Sequence, residues 1–198
     1  MILINRYFKL LTTVVICIAT QTAFCQSDFS KQLSVAAIEL TKQEVSYDPS
    51  YFSIPYPNGD VPSHKGVCTD VVIRAYRKLN IDLQKLVHED MKAHFDLYPH
   101  KWGLTKTDKN IDHRRVPNLM KFFSRFGKTL KNSTLDADYS PGDIVAWDLG
   151  GGLLHIGIVV SKKSDDNERY LIVHNIGNGQ QVSDCLFQHT VIGHYQYE

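Results

Sequence analysis

Residues 142–161 read GDIVAWDLGGGLLHIGIVVS, and this stretch decides the fold class. Two runs rich in β-branched and aromatic residues flank three consecutive glycines, which is typical of two strands joined by a turn. Residues 169–176 and 190–197 have the same character, with Gly, Asp and Asn clusters between the runs. The carboxyl-terminal part of the chain is therefore predicted to form an antiparallel sheet.

Helical patterns occupy the chain before that sheet. Apolar residues recur at helical spacing over 28–45 and 67–80, and Asp82 can cap a further helix. Residues 116–127 carry a proline in the first helical turn and a glycine at the end. Helices first and an antiparallel sheet second predict an α+β fold, with N-terminal helices packed on the sheet.

Residues 1–25 have the pattern of a secretory signal peptide. A basic head precedes the apolar run 10–20, and Ala23 and Cys25 fit the −3 and −1 positions of a cleavage site. Lipoprotein anchoring is disfavoured because Phe24 stands where a lipidated cysteine needs a small residue before it. We expect an exported protein, periplasmic or extracellular.

Residues 26–198 are long enough for one domain with a sizeable core. The whole chain has 22 Lys and Arg against 21 Asp and Glu. This nearly even charge balance gives no indication of the basic patch that binding to nucleic acid requires. No stretch after the predicted signal peptide is long and apolar enough for a membrane span.

Two of the four cysteines, Cys17 and Cys25, fall in the predicted signal peptide, which leaves Cys68 and Cys185. A disulfide between these two is an open alternative in an oxidising compartment. Cys68 lies in GVCTDVV (66–72), at the start of a predicted helix. A helix N-terminus favours the thiolate, so Cys68 is a candidate nucleophile.

A nucleophilic thiol needs an imidazole base, and that base needs a third group to orient it. Most of the nine histidines lie in loops or on polar helix faces. His155 and His174 differ, because each lies in an apolar run on one of two consecutive predicted strands. Alternate residues of a strand share a face, so the two rings can meet on one side of the sheet.

A zinc hydrolase is the rival chemistry. His64 and Cys68 are four residues apart, and His88, His94 and His100 recur every six. Six-residue spacing does not align ligands on one helical face, and no H-E-x-x-H motif occurs. We therefore expect no metal site and no other cofactor.

Three stretches carry a family resemblance: GVCTDVVIRAYRKL, PGDIVAWDLGGGLLHIGIVV and YLIVHNIGNG. They resemble the papain-like cell-wall peptidases of the NlpC-type superfamily. The wider set GVCTDVVIRAYR, VHEDM, NIDHRRVPNL, HIGIV, HNIG and GHY is similar to domain-of-unknown-function family 1287, over about Val45 to Tyr197. The resemblance implies one papain-like α+β domain, with core residues about 45–197 and helices packed on an antiparallel sheet or half-barrel.

The resemblance also implies a Cys-His-His type triad. Cys68 matches the nucleophile, His155 the general base and His174 the polar residue that orients the base. Tyr56, twelve residues before the cysteine, matches a tyrosine that lies near the thiol and helps to hold the oxyanion.

One position departs from the family pattern. The chain has CTD where many relatives have C-S-G, which places Asp70 in the first helical turn. A carboxylate there disfavours a thiolate unless a cation pairs with it, and Arg74, one turn on, is a candidate cation.

Residues 110–119 (NIDHRRVPNL) form a second unusual cluster. An arginine of this cluster can bind a substrate carboxylate in a bidentate manner, and a solvated helix start with a local ion pair is the equal alternative. The candidate substrate-binding residues are Asp70, Asp112, His113, Arg114, Arg115 and Asn175.

Taken together, the residues and the resemblance predict a cysteine hydrolase that cleaves an amide bond in peptidoglycan stem peptides, as an endopeptidase or amidase. The main alternative is a catalytically silent papain-like module that binds cell-wall peptides or a protein partner. A zinc-dependent hydrolase is the less favoured alternative.

Overall fold

The computed structural model of the protein describes residues 28–198, so the signal peptide predicted over 1–25 lies outside the described residues. Helix α1 covers residues 28–40 of this part of the chain. It ends earlier than the predicted 28–45, because the backbone N–H groups of the three residues that follow bond three positions back instead of four.

Three further helices follow the predicted pattern: α2 (Cys68–Lys78), α3 (Leu83–Ala93) and α4 (Val116–Phe126). The Asp82 side chain accepts a hydrogen bond from the backbone N–H of the third residue of α3, and Gly127 ends α4. None of the helices within residues 28–198 has both the length and the apolar character needed to cross a membrane. Short 3-10 turns lie at Phe95–Leu97, Asp112–Arg114 and Asp136–Asp138.

The sheet that follows is antiparallel, with the strand order β3-β8-β4-β5-β6-β7. The predicted α+β class is therefore confirmed. A separate pair, β1 and β2, runs parallel in the long loop before α2. The strand bounds are β1 (Ser46–Tyr47), β2 (Lys65–Gly66), β3 (Lys128–Thr129), β4 (Ile144–Asp148), β5 (Leu154–Lys163), β6 (Tyr170–His174), β7 (Gln181–Ser183) and β8 (Thr190–Gln196).

The two faces of the sheet belong to two apolar clusters. Ile156 and Ile158 of β5 point to the face covered by α1, α2 and α4. Trp147 of β4 and Val159 of β5 point to the opposite face, where Leu186 and its neighbours cover them. This alternation follows from the two-residue period of a strand, and it determines on which side of the sheet each functional side chain lies.

Replacing Phe123 by Ala tests the helix–sheet core. Phe123 is fully buried on α4, with its ring 6.0 Å from that of Tyr76. Because the cavity left behind adds to the lost burial, the free energy of unfolding should fall by about 3–5 kcal/mol in urea titrations. Phe126→Ala, at an exposed position of the same helix, is the control and should change it by less than about 1 kcal/mol. Equal effects would contradict this packing.

Candidate active site

Cys68 is the first residue of α2, and its thiol is buried where the helix N-terminus meets β5. Burial raises the pKa of this thiol to about 12, and the carboxylate of Asp70 adds to the increase. The backbone N–H groups of Ile156, Thr69 and Cys68 itself favour the thiolate and partly offset this increase. These donors would stabilise negative charge at or beside the sulfur during a reaction.

Asp70 explains why the helix starts at Cys68. Its carboxylate accepts a hydrogen bond from the backbone N–H of Val67 (2.7 Å), one of the donors that a helix start leaves unpaired. The same carboxylate binds the Arg114 guanidinium through two hydrogen bonds of 2.9 and 3.0 Å. Arg74, the cation expected for this role, pairs with Asp60 instead.

Asp70 and Arg114 are both buried, so neither offers free charge to a substrate. The pair connects the start of α2 to the loop before α4 across 44 residues of sequence. The carboxylate of Asp70 thus has partners within the protein, and its contact with substrate stays a prediction. Arg114 belongs to the wall of the cleft described below, but its charge is matched within the protein.

The two strand histidines lie together, as expected. His155 is in β5 and His174 ends β6, and the distance from Nε2 of His155 to Nδ1 of His174 is 2.8 Å. Burial lowers the pKa of His155 to about 3, with the neighbouring imidazole contributing, and lowers that of His174 to about 4. Both rings are therefore neutral at neutral pH.

Gly157, in the HIGI stretch, makes room for this pair. A Cβ atom at this position would lie 2.7 Å from a methyl carbon of Ile172 and 3.2 Å from Cβ of His174. Any larger residue would push β6 away from β5. The glycine therefore allows the two strands, and with them the two imidazoles, to approach each other closely.

The thiol and the imidazoles are not joined. His155 pairs across the sheet with Trp147, so its side chain points to the face opposite the helices, whereas Cys68 packs on the helical side. Within residues 28–198, the sulfur of Cys68 has no hydrogen bond to His155 or His174. The strand period causes this separation. The catalytic roles of the three residues remain predictions.

A second thiol does contact the imidazole pair. The sulfur of Cys185 lies 3.7 Å from Nε2 of His174, in the apolar cluster on the face away from the helices. Both Cys68 and Cys185 are free thiols and lie in different clusters. The sequence gives little sign of this contact, because Cys185 stands outside the predicted strands. A cavity of about 350 Å³ opens here, lined in part by Trp147, His155, His174, Cys185 and His189.

A cleft of about 340 Å³ opens over Cys68 on the other side of the sheet. Its walls include Tyr47, Lys101, Trp102 and Arg115. The Arg115 guanidinium lies over the Trp102 ring, 4.5 Å from its centroid. The cleft therefore combines a buried thiol with a cationic and aromatic wall.

Tyr47, and not Tyr56, is the tyrosine of this cleft. The hydroxyl of Tyr56 donates to Glu89 on α3 (3.4 Å), and its predicted role at the oxyanion stays a prediction. The parallel pairing of β1 and β2 places Tyr47 opposite Gly66, two residues before Cys68. Burial raises the pKa of Tyr47, and the nearby thiol adds to the increase.

The polar cluster before α4 is mostly internal. Asp112 is fully buried and accepts hydrogen bonds from the backbone of Asp108 (2.8 Å) and from His88 (2.9 Å). His113 is also buried, and burial lowers its pKa to about 3. Asn175 donates to a backbone carbonyl just before α2 (3.2 Å). The substrate contacts predicted for Asp112, His113 and Asn175 stay predictions, and in the structure these side chains are buried within the protein.

The histidines of the zinc alternative are dispersed. His88 bonds to Asp112, His94 to Asp90, and His100 to a backbone carbonyl. Within the described range 28–198, no group of three or more His, Cys, Asp or Glu side chains is placed to hold a metal ion.

The fold and the site together define the class of protein. It is an α+β protein with a cysteine at the start of a helix and two hydrogen-bonded histidines on the adjacent sheet. The chain belongs to the family "Domain of unknown function (DUF1287)", whose family model matches residues 34–197. The Escherichia coli (strain K12) protein described as "Uncharacterized protein YijF" is 54% identical over 151 residues, which cover 76% of this chain and 73% of that protein.

A solved structure, "Structure of NlpC1 from Trichomonas vaginalis", is similar with a TM-score of 0.45 and 14% sequence identity. The match covers 84% of this chain and 44% of that one, so this chain spans less than half the length of the solved protein.

Replacing Asp70 by Ala tests the buried ion pair. It leaves the Arg114 charge buried without a partner and removes the bond to the backbone N–H of Val67. The free energy of unfolding should fall by about 3–5 kcal/mol in urea titrations. Arg115→Ala removes a neighbouring cation outside the pair and should cost less than about 1 kcal/mol. A stable Asp70→Ala protein would contradict the role of this pair.

Stability should fall as the pH decreases through the range in which free histidine titrates. Burial lowers the pKa of His113, His155 and His174 in the folded state, so below the unfolded pKa the unfolded chain binds more protons. Urea titrations should show a decrease in stability from about pH 7 to about pH 5. His113→Gln removes one titrating group and should make the decrease smaller. An unchanged decrease would contradict its burial as a neutral ring.

Proposed function

We propose that the protein is a papain-like cysteine hydrolase that cleaves amide bonds, with Cys68 as its nucleophile. The observation that carries this proposal is the position of Cys68. The thiol lies at a helix N-terminus and borders an open cleft. Export and a cell-wall substrate rest on the predicted signal peptide and the family resemblance.

In the proposed reaction, His155 accepts the thiol proton at Nδ1, because its Nε2 is engaged with His174. The thiolate attacks the carbonyl carbon, forming a C–S bond while the π electrons move to oxygen. The backbone N–H of Cys68 and the hydroxyl of Tyr47, both at the cleft, would stabilise that oxyanion. His155 then gives its proton to the leaving amine as the C–N bond breaks, and water hydrolyses the thioester.

This chemistry requires the sulfur and Nδ1 of His155 to come within hydrogen-bond distance. The two side chains lie on opposite faces of β5, so the proposed reaction requires β5 or the start of α2 to rearrange when substrate binds. Because the pKa of Cys68 is raised to about 12, a thiolate forms there at neutral pH only if a base takes up its proton.

The cleft suggests the class of substrate. Arg115 and Lys101 supply positive charge beside the thiol, while Trp102 and Tyr47 supply flat apolar surface. A peptide that carries a carboxylate near the cleaved amide fits this wall, since guanidinium groups bind carboxylates through two parallel hydrogen bonds. Peptidoglycan stem peptides have this chemistry.

A second candidate is a wall-peptide-binding module without hydrolytic activity. It is favoured by one observation, the absence of a hydrogen bond between Cys68 and either imidazole within residues 28–198. The cleft and its cationic wall would serve binding equally well.

Digestion of purified sacculi separates the two candidates. Wild-type protein should release muropeptide fragments detectable by mass spectrometry, and Cys68→Ala should release none while still binding sacculi. His155→Ala should lower the rate by about 10²–10⁴-fold. Cys185→Ala removes the other thiol but retains the Cys68 nucleophile, so it should lower release far less than Cys68→Ala does. Equal release by wild type and Cys68→Ala would refute the thiol mechanism, and binding without release by either would favour the binding module.

A further inference from the structure

The imidazole pair contacts the thiol of Cys185, which the proposed reaction does not use. The distances define a continuous row from His155 through His174 to Cys185, with 2.8 Å between the two rings and 3.7 Å from Nε2 of His174 to the sulfur. His174 is thus held at both of its nitrogens, and all three side chains are buried.

The donor and acceptor roles along this row are coupled. A neutral imidazole carries one proton, so one ring nitrogen donates and the other accepts. If His174 carries its proton on Nε2, its Nδ1 must accept from Nε2–H of His155. His155 then has a lone pair on Nδ1, the nitrogen that a base needs. If the proton sits on Nδ1 of His174, every role reverses and His155 holds its proton on Nδ1.

Cys185 favours the first arrangement. An imidazole N–H is a stronger donor than a thiol S–H, so the contact is better made with His174 donating and sulfur accepting. Burial and the neighbouring Asp184 carboxylate raise the pKa of Cys185 to about 12, which keeps it a neutral thiol at neutral pH. A neutral sulfur accepts the hydrogen bond from Nε2–H of His174 without taking the proton from that ring.

We infer that Cys185 is a positioning residue: it accepts Nε2–H of His174, which fixes the tautomers of both rings and leaves Nδ1 of His155 free to act as a base. This inference rests on the proposed function, because it assigns Cys185 to the same imidazole pair. In the proposed reaction Cys68 is the reacting thiol, and Cys185 acts only through the two imidazoles.

Two-bond ¹H–¹⁵N correlation spectra of the ¹⁵N-labelled protein measure the tautomers directly. In the wild type at neutral pH, His155 and His174 should both show the signature of a neutral ring with its proton on Nε2. Cys185→Val keeps an apolar side chain of similar size and removes the acceptor. His174 should then lose its single-tautomer signature and show a mixture of both forms.

Leu186→Val is the matched control for packing. Leu186 is buried in the same apolar cluster and touches it through a purely apolar side chain, so this variant should keep the wild-type tautomers. If Cys185→Val does not fold, Cys185→Ala removes the same acceptor with a smaller side chain. A wild-type His174 with its proton on Nδ1 would overturn the inference. So would a tautomer that stays unchanged when the acceptor is removed.

The activity of the same variants adds a second readout. Where sacculi are cleaved, Cys185→Val should lower the turnover rate by about tenfold. Loss of the hydrogen-bond partner that orients a functional histidine has an effect of this order. Leu186→Val should not. The spectra do not depend on hydrolysis, so an inactive wild type would refute the proposed function while the tautomers still decide the role of Cys185.

Discussion

The carboxylate of Asp70 fixes the geometry around the candidate nucleophile. It satisfies the backbone N–H of Val67 at the start of α2 and binds Arg114 from the loop before α4. Both charges are buried, and removing only one partner of such a pair strongly destabilises the folded state. The position of Cys68, the direction of its backbone donors and one wall of the cleft all depend on this ion pair.

The sheet places the second half of the site. Since alternate side chains of β5 face opposite sides, Ile156 supplies a backbone donor to the Cys68 sulfur while His155 points to the other face. One strand thus separates two environments, a cleft over Cys68 and a cavity beside Cys185. The paired imidazoles line the cavity beside Cys185, on the side of the sheet away from Cys68.

Local patterns were enough to predict the helices, the antiparallel sheet and the meeting of His155 with His174. Each follows from a period of two or of 3.6 residues, or from a cap such as Asp82. The partners of Asp70 and Cys185 were missed because they are set by packing between distant segments. Tyr47 was missed for the same reason, since it lies in a long loop without periodicity whose course only the β1–β2 pairing determines.

Alkylation of the native protein with iodoacetamide, followed by peptide mass mapping, tests the central claim most directly. Cys68 should be modified before Cys185, because it lies at a helix N-terminus beside an open cleft, and His155→Ala should slow this modification. Faster modification of Cys185, or a Cys68 rate that His155→Ala leaves unchanged, would contradict the assignment of Cys68 as the nucleophile with His155 as its base.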